Sequence, residues 1–447
     1  AKLEKGGIGA SRVAVISVPD LRKVDLPPFF ATLITTERAS WSGLPPLQSL
    51  RPFGGVAILG PNVELGSEQT DAIAGSSPGT FRVASSAGET MILRVGPLPG
   101  AAQYPGDWQA SEDTLVRFPL GVLWFDDEVA HFKRSPQPKF YNGVMVSRPK
   151  NWFLDRFSEH NKIDYQLLPT VLSDIYTGRV FADDEHRELR EALPKTDPTK
   201  LEPSQYRPPR QKDPMKPGQP VVGDRINPLT GTKEPRSFPK TYGCDGGVDY
   251  GLFYTLRSGT PAYYDKTLES GTVFLSGPRS GCTNSIIPSG GLLNVPYFYE
   301  GCTCSYPLPS AMSLVPMPQR FEQWSSWGKM EIKPDSIRRL GINFGAPGDR
   351  MTRDGTLWLD YPSVGGPSPD VHVEHEPQDA RFDYRHSMWM NEDDDAPWVT
   401  ASNASGLERV FIDDLVPGQY SVKLYFSEID SVEAGERLQN VQMQGRP

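Results

Sequence analysis

The stretch "DIYTGRVF", residues 174–181, sets an Asp and a Thr-Gly pair just ahead of a short β-branched run. Gly accepts the left-handed backbone that a tight turn requires, so this order predicts a hairpin turn feeding a strand. Two echoes follow, "INPLTGTKE" (226–234) and "YYDKTLESGTVFL" (263–275), each with a Thr-Gly or Ser-Gly turn before a candidate strand. Recurrence at roughly forty to fifty residues points to a β-propeller. Unrelated hairpins that share common turn chemistry would read the same way.

Working outward, "SRVAVISV" (11–18), "GGVAILG" (54–60), "ETMILRVG" (89–96), "GVLWF" (121–125) and "NGVMVS" (142–147) are short strand-like runs bounded by Gly, Pro, Asp or Ser. The chain has 42 Gly and 44 Pro in 447 residues, yet aromatics stand at 10%. So much Gly and Pro disfavours helices, and the aromatics disfavour disorder. The expected class is all-β, in two or three domains. A net charge of −9, without a Lys/Arg cluster interleaved with aromatics, argues against nucleic acid as a partner. No apolar tract is long enough for a transmembrane segment. The chain starts at Ala1 without a signal-peptide pattern, which fits a processed precursor or a fragment.

Residues 191–240 break the pattern with a tract rich in Pro and charge, read as an exposed arm able to wrap a neighbouring surface. "DDEHRELREAL" (183–193) is the best helix candidate, acidic in its first turn. Near the C-terminus, "GQYSVKLYFSEI" (418–429) alternates, with Tyr420, Val422, Leu424 and Phe426 on one face. That predicts a half-buried sandwich strand, with "GLERVFIDDL" (406–415) as its neighbour.

Taken together, "RVGPLPGAAQYPGDW" (94–108), "LVRFPLGVLWFDD" (115–127), "DIYTGRVF", "YYDKTLESG" and "GPRSGCTNSIIPSGGLLNVPYFYEGCTCSYP" (277–307) resemble a known set. They look like the large extracytoplasmic proteins of the planctomycete type that carry a PQQ-binding-like, or quinoprotein-like, β-propeller. The most specific part is the order of an Arg-x-Gly-Cys element, a small-residue-Gly-Leu stretch and a Cys-x-Cys element. "RRLGINFGAPGDRMTRDGTLWLDYPSVGG" (338–366) resembles that family's linker. "PWVTAS" (397–402) and "YSVKLYFSEIDSVEAGERLQNVQMQG" (420–445) resemble the malectin-type carbohydrate-binding sandwich that follows it. The resemblance implies a PQQ-like propeller over 1–330, complete or incomplete, with a Pro-rich insertion at about 183–240. A linker and a partial malectin-like β-sandwich would occupy 331–447.

Three departures qualify what carries over. The family's His-containing elements are replaced after Trp108 by "QASEDT", and only His131 lies near the second position. Leu438, Gln439 and Asn440 stand where an aromatic and an Asp usually follow Gly-x-Arg. The chain stops at Pro447 before the remaining sandwich strands, so it is either truncated or completed by another chain; an open sheet edge is prone to pair with a partner.

A working quinoprotein needs cations for the quinone carboxylates, a stacking face, calcium held by oxygen ligands and an Asp base. The resemblance therefore raises PQQ with calcium as a cofactor, but no residue of this chain can be assigned as catalytic base or cofactor ligand. "NEDDDAP" (391–397) offers carboxylates for calcium and reads more simply as a solvated acidic loop. In "VHVEH" (371–375), His372 and His375 would share a helix face and suit zinc, but the alternation favours a strand that sends them to opposite faces. No phosphate-binding loop, nucleophile elbow or HExxH helix is present, and "NAS" (403–405) is a sequon common by chance.

The four cysteines, Cys244, Cys282, Cys302 and Cys304, lack the Cys-x-x-Cys spacing of a zinc knuckle or redox site. A Cys302–Cys304 ring would be small and strained. Two pairings remain: Cys244–Cys302 with Cys282–Cys304, or Cys244–Cys304 with Cys282–Cys302. Either implies an oxidising, extracytoplasmic compartment, whether periplasm, cell surface or medium. The expected function is a non-catalytic scaffold, adhesion or assembly subunit with other protein chains as partners. The alternatives are a quinoprotein-type dehydrogenase of alcohols or sugars, and a carbohydrate-binding module that stacks sugars on Trp389 or Tyr425.

Overall fold

The computed structural model describes residues 26–36, 47–61, 80–86, 88–105, 112–126, 138–147, 170–185, 220–238, 248–258, 260–275, 286–296, 310–390, 396–428 and 435–445, with 67, 71, 73, 75 and 433. The described chain is mostly strand, and the protein is all-β. It divides into two compact units, one of 1–213, 242–261 and 275–319, the other of 214–241, 262–274 and 320–447. This division puts the Asn227 and Asp265 turns in the same unit as the C-terminal region, whereas the sequence reading drew its boundary near 331. "SRVAVISV" lies outside the described residues, as does the arm from 191 to 219; the end of that arm is a hairpin of Pro220–Ile226 and Lys233–Ser237. Of the expected helix, 183–185 are described and helical, and the Glu185 carboxylate accepts from the Ala182 N–H, 2.7 Å, as a capping-box residue does.

In the first unit, Leu33–Thr36, Gly55–Leu59, Glu89–Arg94 and Phe81–Ser86 form one sheet in that spatial order. Lys139–Tyr141, Val144–Ser147 and Val171–Asp174 make a second. In the third, Ile287–Ser289, Leu292–Val295 and Ala311–Pro316 run as a meander whose last strand pairs with Leu120–Asp126 from much earlier in the chain. Gly55–Leu59 alternates buried and half-buried residues as its sequence predicts. Leu98, Tyr104, Phe140, Met145, Ile175, Tyr176, Ile287, Leu292 and Val315 pack into one core.

The three echoes are built on one turn. Asp174 Oδ1 accepts from the Tyr176 N–H at 2.8 Å, and the Asp174 carbonyl accepts from Gly178 N–H at 2.9 Å. Asn227 repeats this, its side chain accepting from Leu229 N–H at 2.9 Å and its carbonyl from Gly231 N–H at 2.8 Å. Asp265 does so again with Thr267 N–H at 2.7 Å and Glu269 N–H at 2.9 Å. The residue four places on is left-handed each time, at φ 71° for Gly178, 74° for Gly231 and 55° for Glu269. Glu269, not Gly271, is thus the counterpart of the two glycines. The third loop carries one extra residue, which Gly271 absorbs at φ 90°.

Two of these turns are closed by an indole. Trp124 Nε1–H donates to the Ile175 carbonyl at 2.7 Å, and Trp327 Nε1–H to the Glu269 carbonyl at 3.2 Å. In the second unit the buried Arg225 guanidinium lies 3.5 Å from the Trp327 ring centroid, and its Nε donates to Glu234 at 2.9 Å. The Tyr264 hydroxyl donates to Glu269, which also accepts from Arg236 Nε at 2.8 Å. This network joins the 226–234 hairpin to the 264–272 hairpin, so each buried charge meets an opposite one.

A side chain at 178 would need a left-handed backbone, and its Cβ would lie 2.7 Å from the Trp124 ring. Gly178→Ala is expected to cost about 2–3 kcal/mol. The check is a urea titration of the full chain with Trp fluorescence; an unchanged midpoint would mean the turn is not under this constraint.

Candidate interaction surface

In the second unit, Gly341–Phe344 pairs with Leu357–Tyr361, which also pairs with Arg350–Met351. Two further ladders join Val373–Glu376 to Arg409–Ile412 and Arg381–Tyr384 to Ser402–Ser405. Leu229, Trp327, Met351, Leu357 and Leu359 form its main core, and Trp398 packs with Val399 against Trp324 and Trp358.

After this core comes the alternating segment. The structure departs from the expected half-buried strand: Ser421–Glu428 carry no ladder, turn or bend, and among the described residues 421–426 make no backbone hydrogen bond. The intended inner face stays in solvent, with Tyr420, Val422, Leu424 and Phe426 between 42% and 59% exposed. The expected neighbour forms its strand at Arg409–Ile412 but pairs with Val373–Glu376 instead. Its Val410, Phe411 and Ile412 are also exposed. Alternation records that a face needs covering, and nothing among the described residues covers this one.

The segment is nonetheless anchored. Val416 N–H donates to the Ile337 carbonyl at 2.9 Å, and the Tyr420 hydroxyl sits 2.5 Å from the Val416 carbonyl. Tyr425 meets Trp358 edge-on at 5.6 Å, and Ser427 Oγ donates to the Thr400 carbonyl at 2.8 Å. The run is thus held at both ends and exposed between them.

The other candidate residues are scattered. All four cysteines, Trp108, His131 and 391–395 lie outside the described residues; Ala396 and Pro397 open the helical turn Pro397–Thr400. His375 lies in the strand Val373–Glu376 and His372 immediately precedes it, extended rather than helical. His372 is exposed, 2.8 Å from Asp413 and 3.2 Å from Glu374, and the Asp413 hydrogen bond raises its pKa. His375 turns the other way, its Nδ1 2.7 Å from the Tyr361 hydroxyl and its ring against Phe382. Asn403 of the sequon lies inside the Ser402–Ser405 ladder with its Nδ2 buried, so the folded chain does not present it for glycosylation. Trp389 is 80% exposed, and Leu438, Gln439 and Asn440 are exposed as well.

Sequence reasoning missed a buried carboxyl pair. Asp349 accepts from Trp327 N–H at 3.0 Å, from the Ser368 hydroxyl at 2.8 Å and from Asp360 N–H at 3.3 Å. One oxygen of Asp360 accepts from Val364 and Gly365 N–H, both 2.7 Å, while its Oδ1 is buried without a partner. Both residues are buried. The only sequence signal was two aspartates eleven residues apart in "GDRMTRDGTLWLD", and chain distance does not reveal that Ser325–Trp327 and 364–368 fold over them. Compared with protein families, curated proteins and solved structures, the chain matches none.

Burial pushes the Asp349 carboxyl up from 3.8 to about 7; the Trp327 and Ser368 hydrogen bonds oppose this and the Asp360 charge adds to it. The folded state therefore holds a proton that the unfolded chain releases. That contribution to stability is full below 3.8 and is lost as pH rises through about 7. Asp360→Asn keeps an oxygen for Val364 and Gly365, puts an amide at the orphaned position and removes one charge. It is expected to raise the denaturation midpoint at pH 8 relative to the parent while changing little at pH 5. Equal losses in both chains between those pH values would clear the pair of responsibility.

Proposed function

We propose that this chain is a non-catalytic, extracytoplasmic assembly subunit that joins partner proteins through the second unit. The observation that carries this reading is the anchored segment at 420–426, without a ladder partner among the described residues and with apolar side chains in solvent. In this reading the framework is a PQQ-like propeller followed by part of a malectin-like sandwich. Support for the propeller comes from the three equivalent Asx-capped turns and from the meander that takes Leu120–Asp126 as its closing strand. Support for the sandwich comes from the short antiparallel ladders of 373–412.

In its native assembly, the Leu424→Lys, Phe426→Lys double variant is expected to sediment as free monomer with an unchanged circular dichroism spectrum. Retention of the variant in the assembly would remove the surface from consideration. Non-reducing peptide mapping is expected to recover Cys244, Cys282, Cys302 and Cys304 as two disulfides. Free thiols at all four would withdraw the extracytoplasmic assignment.

A second reading, carbohydrate binding, is favoured by Trp389 alone, a residue 80% exposed. A glycan array separates the two. Binding by the parent that is lost in Trp389→Ala supports the module; no binding by the parent dismisses it.

A further inference from the structure

The loop over the buried carboxyl pair has no apolar anchor. None of residues 362–368, Pro-Ser-Val-Gly-Gly-Pro-Ser, is buried, and Val364 is 69% exposed. What holds the loop is polar. Val364 and Gly365 N–H donate to one oxygen of Asp360, both at 2.7 Å, and the Ser368 hydroxyl donates to Asp349 at 2.8 Å. The Pro367 carbonyl accepts from the Ser326 hydroxyl at 2.5 Å and from Gly328 N–H at 2.9 Å. Gly365 lies so close to Pro347 and Gly348 that a Cβ there would meet them at 2.4 Å. The loop is therefore a strap laid over two acids and fastened largely to them.

Nothing among the described residues offsets a second negative charge beneath it. The Leu357–Tyr361 strand turns Asp360 toward Asp349 and Tyr361 toward His375. The strap has no ionisable side chain, and the 325–327 junction offers two serines and an indole. Nearby cations are committed elsewhere: Arg225 stacks on the Trp327 ring and pairs with Glu234, and Arg350 donates to the Phe321 carbonyl. Glu269 gives its carbonyl to the Trp327 indole and its carboxylate to Arg236. Lys329, Glu331 and Asp370, on and beside the ladder that follows the strap, are exposed. Ionising both acids in this dry interior is costly unless water reaches them. Lifting a strap that buries no side chain is the least costly way in.

We infer that residues 362–368 form a proton-operated strap, closed while the Asp349–Asp360 pair holds a proton and released to solvent when both carboxyls ionise. Opening frees the Pro367 carbonyl from Ser326 and admits water to the Ser325–Trp327 junction. The inference does not depend on the assembly reading.

Under the closed strap Asp349 keeps its proton up to about pH 7, against 3.8 for an ordinary aspartate. The advantage of the closed form is full below 3.8 and is lost as pH rises through about 7. Between pH 6 and pH 8 the open fraction grows about tenfold.

Amide hydrogen exchange of the full chain, corrected for the intrinsic rate at each pH, tests this at Val364 and Gly365. Their protection is expected to fall about tenfold from pH 6 to pH 8, while the Gly341–Phe344 ladder keeps its own. Asp349→Asn retains an oxygen acceptor and cannot ionise, so protection of the strap should be equal at the two pH values. Ser368→Ala removes one fastening and should lower protection about fivefold at both, with the fall between them retained.

Equal protection at pH 6 and pH 8 in the parent overturns the strap. So does a fall shared equally by the Gly341–Phe344 ladder, which reports unfolding of the whole unit. A fall that persists in Asp349→Asn assigns the titration to another group and overturns it as well. Should Asp349→Asn not fold, Ser368→Ala decides: unchanged protection there means that Asp349 does not hold the strap.

Discussion

Each of the three hairpin turns hangs on a single Asp or Asn that bonds twice to the chain ahead of it, once through its side chain and once through its carbonyl. The second bond closes only when the residue four places on turns left-handed. That demand decides where Gly178 and Gly231 stand, and it explains why the Thr-Gly pairs recur in sequence. At Asp265 the same geometry is reached with Glu269 in the left-handed place. The strain there is offset by what that side chain does, since its carboxylate accepts from both Tyr264 and Arg236. A glycine would relax the backbone and lose both bonds.

Trp124 and Trp327 carry the turns into tertiary structure. Their indole N–H groups satisfy carbonyls that a tight turn would otherwise leave buried and unpaired. Trp327 also stacks under Arg225, and its own N–H reaches Asp349. Ser325 and Ser326 extend the junction, pairing with Asp349 and with Thr272. A hairpin from mid-sequence and a carboxyl pair from the C-terminal region therefore meet within three consecutive residues. The cost is an interior carboxyl, Asp349, whose pKa burial pushes up to about 7.

The same unit combines this dense interior with an unfinished exterior. Around Trp358 and Trp398 aromatic edges interlock, yet a few residues beyond Thr400 the chain continues through an exposed ladder into a segment without one. Backbone polar groups in water cost little, so a lone extended segment is tolerable in isolation. Its apolar side chains are a different matter, since an exposed apolar run gains nothing from water and these are about half exposed.

Much of the local structure was legible in the chain. Gly, Pro and aromatic content excluded a helical or disordered protein, and Asx-Thr-Gly order marked true turns because the geometry involved is confined to a few consecutive residues. Strand parity likewise separated His372 from His375. At 263–275 the Ser-Gly pair does precede its strand, but only the hydrogen bonds identify Glu269 as the equivalent of Gly178 and Gly231. The Asp349–Asp360 pair and the burial of the Asn403 Nδ2 were invisible, because both depend on segments distant in sequence folding over them. So too with 420–426: its alternation determined that one face seeks cover, but whether any strand lies beside it is a matter of long-range pairing. Sequence by itself determined the all-β class, the turns and the periodicity. Only the tertiary structure decided which carboxyls lose water and which extended segment has no neighbour among the described residues, because desolvation and pairing are set by what packs alongside.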